Sequence, residues 1–206
     1  MSASYLTDTL LLVLLASGWT ADHWVLHRRL SGARRDPLSG LLTRAGWTTR
    51  ALRAVRRTRS AVLLIDLDGF KAVNDRHGHQ AGDRIIAETG ARLTAWCGSG
   101  EVAGRLGGDE FAVAVAADGL EVRLTALRAQ LARPVVHDGQ LLRVGASIGV
   151  ALLDDQPEPT LSAALHAADK AMYREKGRSR RGRRPLRAKV RALAAPLTRQ
   201  MFGRAA

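Results

Sequence analysis

Apolar and polar positions follow two different periods along the chain, and the change of period marks the predicted elements. Mainly aliphatic runs of strand length occur at Ala61–Ile65 and Leu141–Leu153, as is typical of strands buried on both faces. The stretches around them instead show apolar residues three to four positions apart. That spacing is clearest in Gly82–Ala95. Three other stretches are also predicted as helices, the last capped by its first residue: Ala45–Thr58, which is rich in Arg and Ala, Glu121–Ala132 and Thr160–Arg174.

A pair of glycines separates two further apolar runs, Val102–Leu106 and Phe111–Ala116. Gly107 and Gly108 can take positive φ, which a tight turn requires, so the two runs are predicted to form an antiparallel hairpin. Helices that alternate with strands around such a hairpin indicate a mixed β-sheet covered by helices. The predicted fold class is therefore α/β or α+β, with a mixed central β-sheet flanked by helices.

Composition favours one well-packed domain with extensions. The chain has 206 residues, of which 46% are hydrophobic and 25% are charged, and this is enough for one domain of roughly 150 residues. Its single cysteine, Cys97, excludes an intramolecular disulfide and fits a reducing compartment. We expect Cys97 to be a small buried hydrophobic residue rather than a reactive thiol.

The net charge of +13 is unevenly distributed. Residues 176–206 contain eleven Lys or Arg and no acid, and residues 28–59 contain ten Arg against one acid. Residues 60–175 contain eleven bases against sixteen acids, so two basic arms flank an acidic centre. Such arms suit the phosphates of an anionic membrane or of nucleic acid. No aromatic residues interleave the arginines of the tail, so we prefer a solvated charge run and do not expect nucleic acid as a partner.

The N-terminal residues 10–19 are nearly all apolar. The uncharged stretch that contains them is only thirteen residues long, because Asp8 precedes it and Asp22 follows it. A membrane-spanning helix needs about 20. Three alternatives remain: a short or tilted membrane anchor, a helix that packs on a partner, and an interfacial helix. In the first, the arginines that follow place the rest of the chain in the cytoplasm. The predicted location is therefore cytoplasmic, with attachment to the inner face of the membrane through this helix left open.

Three carboxylates from distant parts of the sequence are predicted to meet at one edge of the sheet. Asp66 follows the first buried strand, and the hairpin turn holds Asp109 and Glu110. Oxygen ligands of this kind favour Mg²⁺ or Mn²⁺, with the carbonyl of Leu67 and nucleotide phosphates completing the coordination. Two such ions would activate an attacking hydroxyl and neutralise a leaving pyrophosphate. Either motif alone is often a simple turn, so the prediction depends on their combination.

Asn74 and Asp83 lie between these two motifs. An amide and a carboxylate can pair with the edge of guanine in a way that adenine cannot satisfy, which would select GTP over ATP. The alternative is that Asn74 is a turn residue and Asp83 a helix N-cap. His77 and His79 have no third His and no Cys at ligand spacing, so we do not expect zinc.

Seven short segments occur in a fixed order along the chain: Ile65–Lys71, Asn74–Asp75, Gly78–His79, Gly82–Asp83, Arg105–Phe111, Ser147–Gly149 and Ala168–Tyr173. Together they closely resemble the GGDEF family of diguanylate cyclases. The resemblance covers about residues 36–180, which we predict to be the cyclase domain. It implies condensation of two GTP into cyclic di-GMP with release of two pyrophosphates, on a fold like the palm of nucleotide polymerases and class III cyclases. Residues 1–35 would then be an anchoring or dimerisation helix, and residues 181–206 a basic tail.

The resemblance also implies roles for individual residues. Asp66, the Leu67 carbonyl, Asp109 and Glu110 correspond to the metal ligands. Asp109 corresponds to the usual base for the ribose 3′-hydroxyl, with Glu110 as the alternative for that role, so these two are the catalytic candidates. Substrate contacts are implied for the backbone amides of two residues and the side chains of five more: Gly69, Phe70, Asn74, His79, Asp83, Lys176 and Arg180.

Two departures from the family pattern concern substrate binding and regulation. Residues 177–180 differ from it, so Arg178 is an alternative to Arg180 for the second phosphate contact. The arginine and aspartate of the product-inhibition motif would fall at Gly98 and Glu101, so that site is expected to be absent.

Because each domain of the family holds one GTP, a homodimer is implied for catalysis. The rival hypothesis is a catalytically silent GTP-binding or scaffold module that signals through protein contacts.

Overall fold

The computed structural model describes residues 34–56 and 59–182, with side chains to residue 177. The predicted hydrophobic segment 1–35 and basic tail 181–206 lie outside this part of the chain except at their inner ends. The elements follow one another in this order: β1 (Leu42–Thr43), α1 (Arg44–Ala54), β2 (Ser60–Asp68), α2 (Phe70–His77), α3 (His79–Trp96), β3 (Val102–Gly107), β4 (Glu110–Ala116), α4 (Leu120–Leu131), β5 (Val135–His137), β6 (Gln140–Leu142), β7 (Gly145–Leu152) and α5 (Leu161–Gly182).

Five strands form one mixed sheet in the order β1-β3-β4-β2-β7. Strand β2 lies between β4 and β7 and is antiparallel to both, whereas β1 is parallel to β3. Strands β5 and β6 form a separate two-stranded hairpin. This mixed sheet with helices packed against it confirms the predicted fold class.

Helices cover both faces of β2, which explains why its sequence is a continuous aliphatic run. Leu63 and Ile65 belong to the core under α3 and α4, and Val62 and Leu64 belong to the core under α1 and α5. Each of these four side chains is buried, and burial of one aliphatic side chain contributes about 1.5–3 kcal/mol relative to exposure. Asp66 continues the series of Val62 and Leu64, so it lies on the face covered by α1 and α5.

Helix α5 lies in direct contact with the backbone of β7. A Cβ atom on Gly149 would come within 1.9 Å of the Ala168 carbonyl oxygen, so only glycine permits this approach. The predicted cap is confirmed: the Thr160 hydroxyl accepts a hydrogen bond from the Ala163 amide at 3.1 Å. The helix therefore begins at a fixed point and crosses the same face of the sheet on which Asp66 lies.

Several sequence-based boundaries are corrected. Helix α1 ends at Ala54 rather than at Thr58, and α5 continues to Gly182 rather than ending at Arg174. Strand β2 extends through Asp66 to Asp68, because pairing with β7 continues to its end; Asp66 is inside the strand rather than after it. The run predicted as one strand over Leu141–Leu153 is divided into β6 and β7. Residues Phe70–His77, to which no element was assigned, form a helix.

Within residues 34–56 and 59–182, no helix is both long enough and apolar enough to cross a bilayer. The apolar residues 10–19 lie outside these ranges.

Candidate active site

The end of β2 brings the predicted carboxylates together. Strand pairing places Asp66 directly opposite Glu110 of β4, and opposed residues of an antiparallel pair lie on the same face. Asp109 precedes Glu110 in the turn, and its carbonyl accepts a hydrogen bond from the Leu67 amide at 3.3 Å. Asp66 is buried, whereas Glu110 is exposed. The four predicted metal ligands are thus neighbours at one end of the paired strands β2 and β4.

Lys176 of α5 reaches the buried carboxylate of this group. Its Nζ atom donates to Oδ1 of Asp66 at 2.7 Å, and the side chains of Lys176 and Asp66 are 30% and 8% exposed. The family resemblance implies a phosphate contact for Lys176. In the structure its ammonium balances the charge of Asp66.

The turn carries an excess of negative charge. Burial, followed by the negative charge of Asp66, raises the pKa of Asp109 above its ordinary value. A hydrogen bond from the Asp109 backbone and the positive charges of Lys176 and Arg105 oppose this shift without cancelling it. A further cation at this position would therefore be stabilising.

The donor atoms fit Mg²⁺ or Mn²⁺ held together with a nucleotide. Within the described residues, no three His, Cys, Asp or Glu side chains converge closely enough to hold a metal by themselves. The site does offer the buried carboxylate of Asp66, the carbonyl of Leu67 and the carboxylate of Asp109. Mg²⁺ commonly takes one or two carboxylates and completes its octahedron with waters and substrate phosphates.

An ion pair positions the turn. Arg105 donates from Nη1 to both carboxylate oxygens of Asp36, at 3.1 and 3.2 Å, and from Nε to the Gly108 carbonyl at 2.9 Å. Gly108 has a φ of 52°, so the turn uses the left-handed conformation that glycine favours. The Ser39 amide and hydroxyl also donate to Asp36. The chain near residue 36 is thereby linked to the turn that carries Asp109.

Sequence reasoning assigned no role to Asp36 or Arg105 in this linkage. One signal was present, because Asp36 is the single acid among ten arginines between residues 28 and 59. Arg44 makes a second contact of the same kind, from Nε to the Leu106 carbonyl at 3.0 Å.

A narrow gap between α2 and α3 contains the candidate base-recognition residue Asn74. Its Oδ1 atom is buried and has no hydrogen-bond partner among the described residues. A Cβ atom on Gly82 of α3 would lie 1.9 Å from that oxygen and 3.0 Å from the Phe70 ring. A buried acceptor without a donor is costly, and such atoms commonly mark ligand sites. Gly82 provides the room. It belongs to a segment that carries the family resemblance but was given no role in the site; a glycine in a predicted helix was the available signal.

Four further substrate-binding candidates belong to the two helices beside this gap or to the residue before α2: Gly69, Phe70, His79 and Asp83. Asp83 and His79 are exposed on α3, four positions apart and hence on one face of the helix. Gly69, with a φ of 78°, is the N-cap of α2, so the Phe70 amide lies in the first helical turn, where amides lack acceptors within the helix. Asn74 is in a helix rather than a turn, and Asp83 is inside α3 rather than at its N-cap, which is Gly78; both alternative interpretations are wrong. The side chains of Arg178 and Arg180 lie outside the described atoms, so the choice between them stays open.

The position of the product-inhibition motif is used for internal packing. Glu101 accepts hydrogen bonds from Arg123 at both carboxylate oxygens, at 2.7 and 2.5 Å, and from the amides of Gly98 and Ala116. The Arg123 guanidinium lies 4.5 Å from the centre of the Trp96 ring. Burial alone would raise the pKa of Glu101, but these hydrogen bonds outweigh it and hold the pKa below its ordinary value. Both the carboxylate and its arginine are thus engaged within the domain.

The chain belongs to the GGDEF family, because the model of the family "Diguanylate cyclase, GGDEF domain" matches residues 33–182. This confirms the resemblance found in the sequence.

Two relatives illustrate the range of the family. An uncharacterized 19.3 kDa protein encoded in the repSA 5′ region of Streptomyces ambofaciens is 54% identical over 182 residues, which cover 88% of this chain and 98% of the relative. The diguanylate cyclase TpbB of Pseudomonas aeruginosa PAO1 is 38% identical over 162 residues. That match covers 74% of this chain but only 37% of TpbB.

Solved structures share the fold. A sensory box/GGDEF family protein from Caulobacter crescentus CB15 superposes with a TM-score of 0.65 at 41% identity, covering 70% of this chain and 99% of that one. Other structural neighbours include a microbial GGDEF domain with cyclic di-GMP, at 29% identity and a TM-score of 0.58, covering 69% of this chain and 89% of that one. A further neighbour is the diguanylate cyclase SiaD of Pseudomonas aeruginosa with its activator SiaC, at 25% identity and a TM-score of 0.64, covering 84% and 70%.

Proposed function

We propose that this protein is a diguanylate cyclase, which condenses two GTP molecules into cyclic di-GMP and releases two pyrophosphates. The observation that carries the proposal is the arrangement at the end of β2. There a buried Asp66 pairs opposite Glu110 and adjoins the turn of Asp109. The chain's membership of a family with characterised cyclases supports the same activity.

The substrate base is guanine in this proposal. The unpartnered Oδ1 of Asn74 would accept a hydrogen bond from the guanine edge, and the nearby carboxylate of Asp83 would accept from N1 and N2. Adenine presents no donors in that pattern, so the site would leave two acceptors unsatisfied with ATP. Such unpaired polar groups discriminate strongly between substrates.

The triphosphate is expected to bind at the N-terminus of α2. Amides of the first turn, those of Gly69 and Phe70, would hold phosphate oxygens, while His79, Lys176 and Arg180 would add contacts around the substrate. A divalent cation held by Asp66, Leu67 and Asp109 would neutralise charge on the phosphates as pyrophosphate leaves. Asp109 would accept the proton of the attacking ribose 3′-hydroxyl as general base. Glu110 is the alternative base.

The active form is a homodimer in this proposal. One domain presents one set of these residues, and cyclic di-GMP contains two guanosine units joined by two phosphodiester bonds. Two domains that face each other would let each bound GTP supply a 3′-hydroxyl to the other. Catalysis would then consist mainly of positioning and electrostatic stabilisation.

The test is incubation of the purified protein with GTP and Mg²⁺, followed by chromatographic separation of the nucleotides. We expect cyclic di-GMP from the wild type and none from Asp109→Ala. Asp118→Ala is the matched control, because Asp118 is an exposed loop carboxylate away from the site, and it should retain activity. Loss of activity in both variants, or in neither, would contradict the assignment of Asp109.

Cellular placement is a separate proposal. We place the domain in the cytoplasm, with the basic arms able to contact an anionic membrane surface. Binding to vesicles of anionic lipid should then fall steeply when residues 181–206 are deleted; equal binding by the shortened chain would refute the contact through this arm.

A further inference from the structure

The contact between Lys176 and Asp66 joins two groups that the proposed reaction requires apart. The reaction assigns Asp66 to the metal and Lys176 to a phosphate, yet the two are hydrogen-bonded at 2.7 Å. Asp66 lies in the interior strand β2 with an 8% exposed side chain. A carboxylate buried to that extent needs a compensating cation. In the structure Lys176 supplies it.

We propose that Lys176 acts as an internal cation that occupies Asp66 until nucleotide and metal displace it together. This inference rests on the proposed function and deepens it. A metal ion alone must remove the ammonium from Asp66 and leave it without a counterion. When a triphosphate is present, its negative charges offer the ammonium a new partner, so metal entry and lysine departure become favourable together. Metal and nucleotide consequently bind cooperatively.

The surrounding structure lets the side chain move while the helix remains fixed. Glu175, the neighbour of Lys176, is held by a two-fold hydrogen-bonded ion pair with Arg128 of α4. Nearer the start of α5, the helix backbone at Ala168 packs directly on Gly149 of β7. The exchange therefore requires only rotation of the Lys176 side chain, which is 30% exposed and long enough to change partners.

The test measures Mn²⁺ binding to the nucleotide-free full-length protein, with free Mn²⁺ followed by electron paramagnetic resonance. Lys176→Met removes the competing ammonium, so Mn²⁺ should bind the Asp66 site about tenfold more tightly than in wild type. Lys170→Met is the matched control, because Lys170 is an exposed lysine of the same helix without a described carboxylate partner; its affinity should equal that of wild type. An unchanged or weaker affinity in Lys176→Met would overturn the inference.

A second readout does not depend on the metal titration alone. Without metal, Lys176→Met should melt at a lower temperature than wild type, because Asp66 is left buried and unpaired, and Mn²⁺ should abolish this difference. Equal melting temperatures without metal would contradict the proposal.

Asp66→Asn distinguishes a failure of the lysine exchange from a failure of the proposed metal site. If this substitution abolishes Mn²⁺ binding but Lys176→Met does not tighten it, the exchange is refuted and the metal site stands. If Mn²⁺ binding does not depend on Asp66 in any variant, both the exchange and the proposed metal site are refuted.

Discussion

The ion pair between Asp36 and Arg105 should be strongly coupled, because it links the start of the domain to the turn that carries Asp109. The two side chains are only 19% and 17% exposed, and one guanidinium nitrogen contacts both carboxylate oxygens. A double-mutant cycle with Asp36→Ala and Arg105→Ala isolates their interaction. Hydrogen bonds to charged groups contribute about 1.5–3 kcal/mol. Allowing for the remaining exposure, we expect a coupling free energy of about 1–2 kcal/mol.

The exposed pair of Arg59 and Asp154 provides a control within the same protein. Its side chains are 70% and 54% exposed at a distance of 3.2 Å, so its coupling should not exceed about 0.5 kcal/mol. Both cycles are measured by urea denaturation at pH 7. Equal coupling energies for the two pairs would refute the reasoning from burial.

The coupling free energy of Asp36 and Arg105 should also depend on pH. Burial would raise the pKa of Asp36, but hydrogen bonds from Ser39 and Arg105 outweigh it and hold the folded-state pKa below the ordinary value of 3.8. A carboxylate with a lowered pKa stabilises the fold fully above its unfolded-state value and loses that contribution as the pH falls through the folded-state value. The coupling should therefore be complete at pH 7 and decline below pH 3.8. Coupling that persists after Asp36 is protonated would show that the contact is not ionic.

Three further substitutions and one alkylation reaction test the packing of the domain. Gly149→Ala should destabilise the protein by about 3 kcal/mol or more, since its Cβ would meet the Ala168 carbonyl at 1.9 Å. At Gly177 an added Cβ atom would have no neighbouring group within 4 Å. Gly177→Ala should therefore be neutral or stabilising by up to about 1 kcal/mol in the same denaturation assay. Glu101→Gln should cost about 2 kcal/mol because it removes the charge that pairs with Arg123, and a loss below about 0.5 kcal/mol would contradict the internal role of Glu101. Burial, followed by the charge of Glu101, raises the pKa of the Cys97 thiol to about 12, so iodoacetamide at pH 8 should alkylate Cys97 slowly in the folded protein and readily in urea; equal rates would refute this.

The sequence predicted those features that depend on local pattern. The aliphatic run before Asp66 and the glycine pair before Asp109 were sufficient for a strand and a hairpin, because burial on two faces and a tight turn each demand particular residues. Helix caps such as Thr160 are also local, since the side chain bonds an amide three positions away.

Features that depend on distant partners were not predictable in this way. The pairing of Asp36 with Arg105 joins residues 69 positions apart, and that of Lys176 with Asp66 joins residues 110 positions apart. Neither position carries a local signal that names its partner. Strand β2 continued past its aliphatic part through Asp66 because backbone pairing with β4 and β7, rather than side-chain hydrophobicity, decides where it ends. Gly82 was overlooked for a similar reason, because its function is to leave room for the side chain of Asn74 from another helix.

The most direct test of the central claim measures both products over a dilution series of the wild-type protein with GTP and Mg²⁺. The account predicts two pyrophosphates for each cyclic di-GMP, with activity per protein molecule that rises as concentration favours the dimer. GTP that binds at high protein concentration and is recovered unchanged would contradict the account and support the catalytically silent GTP-binding module.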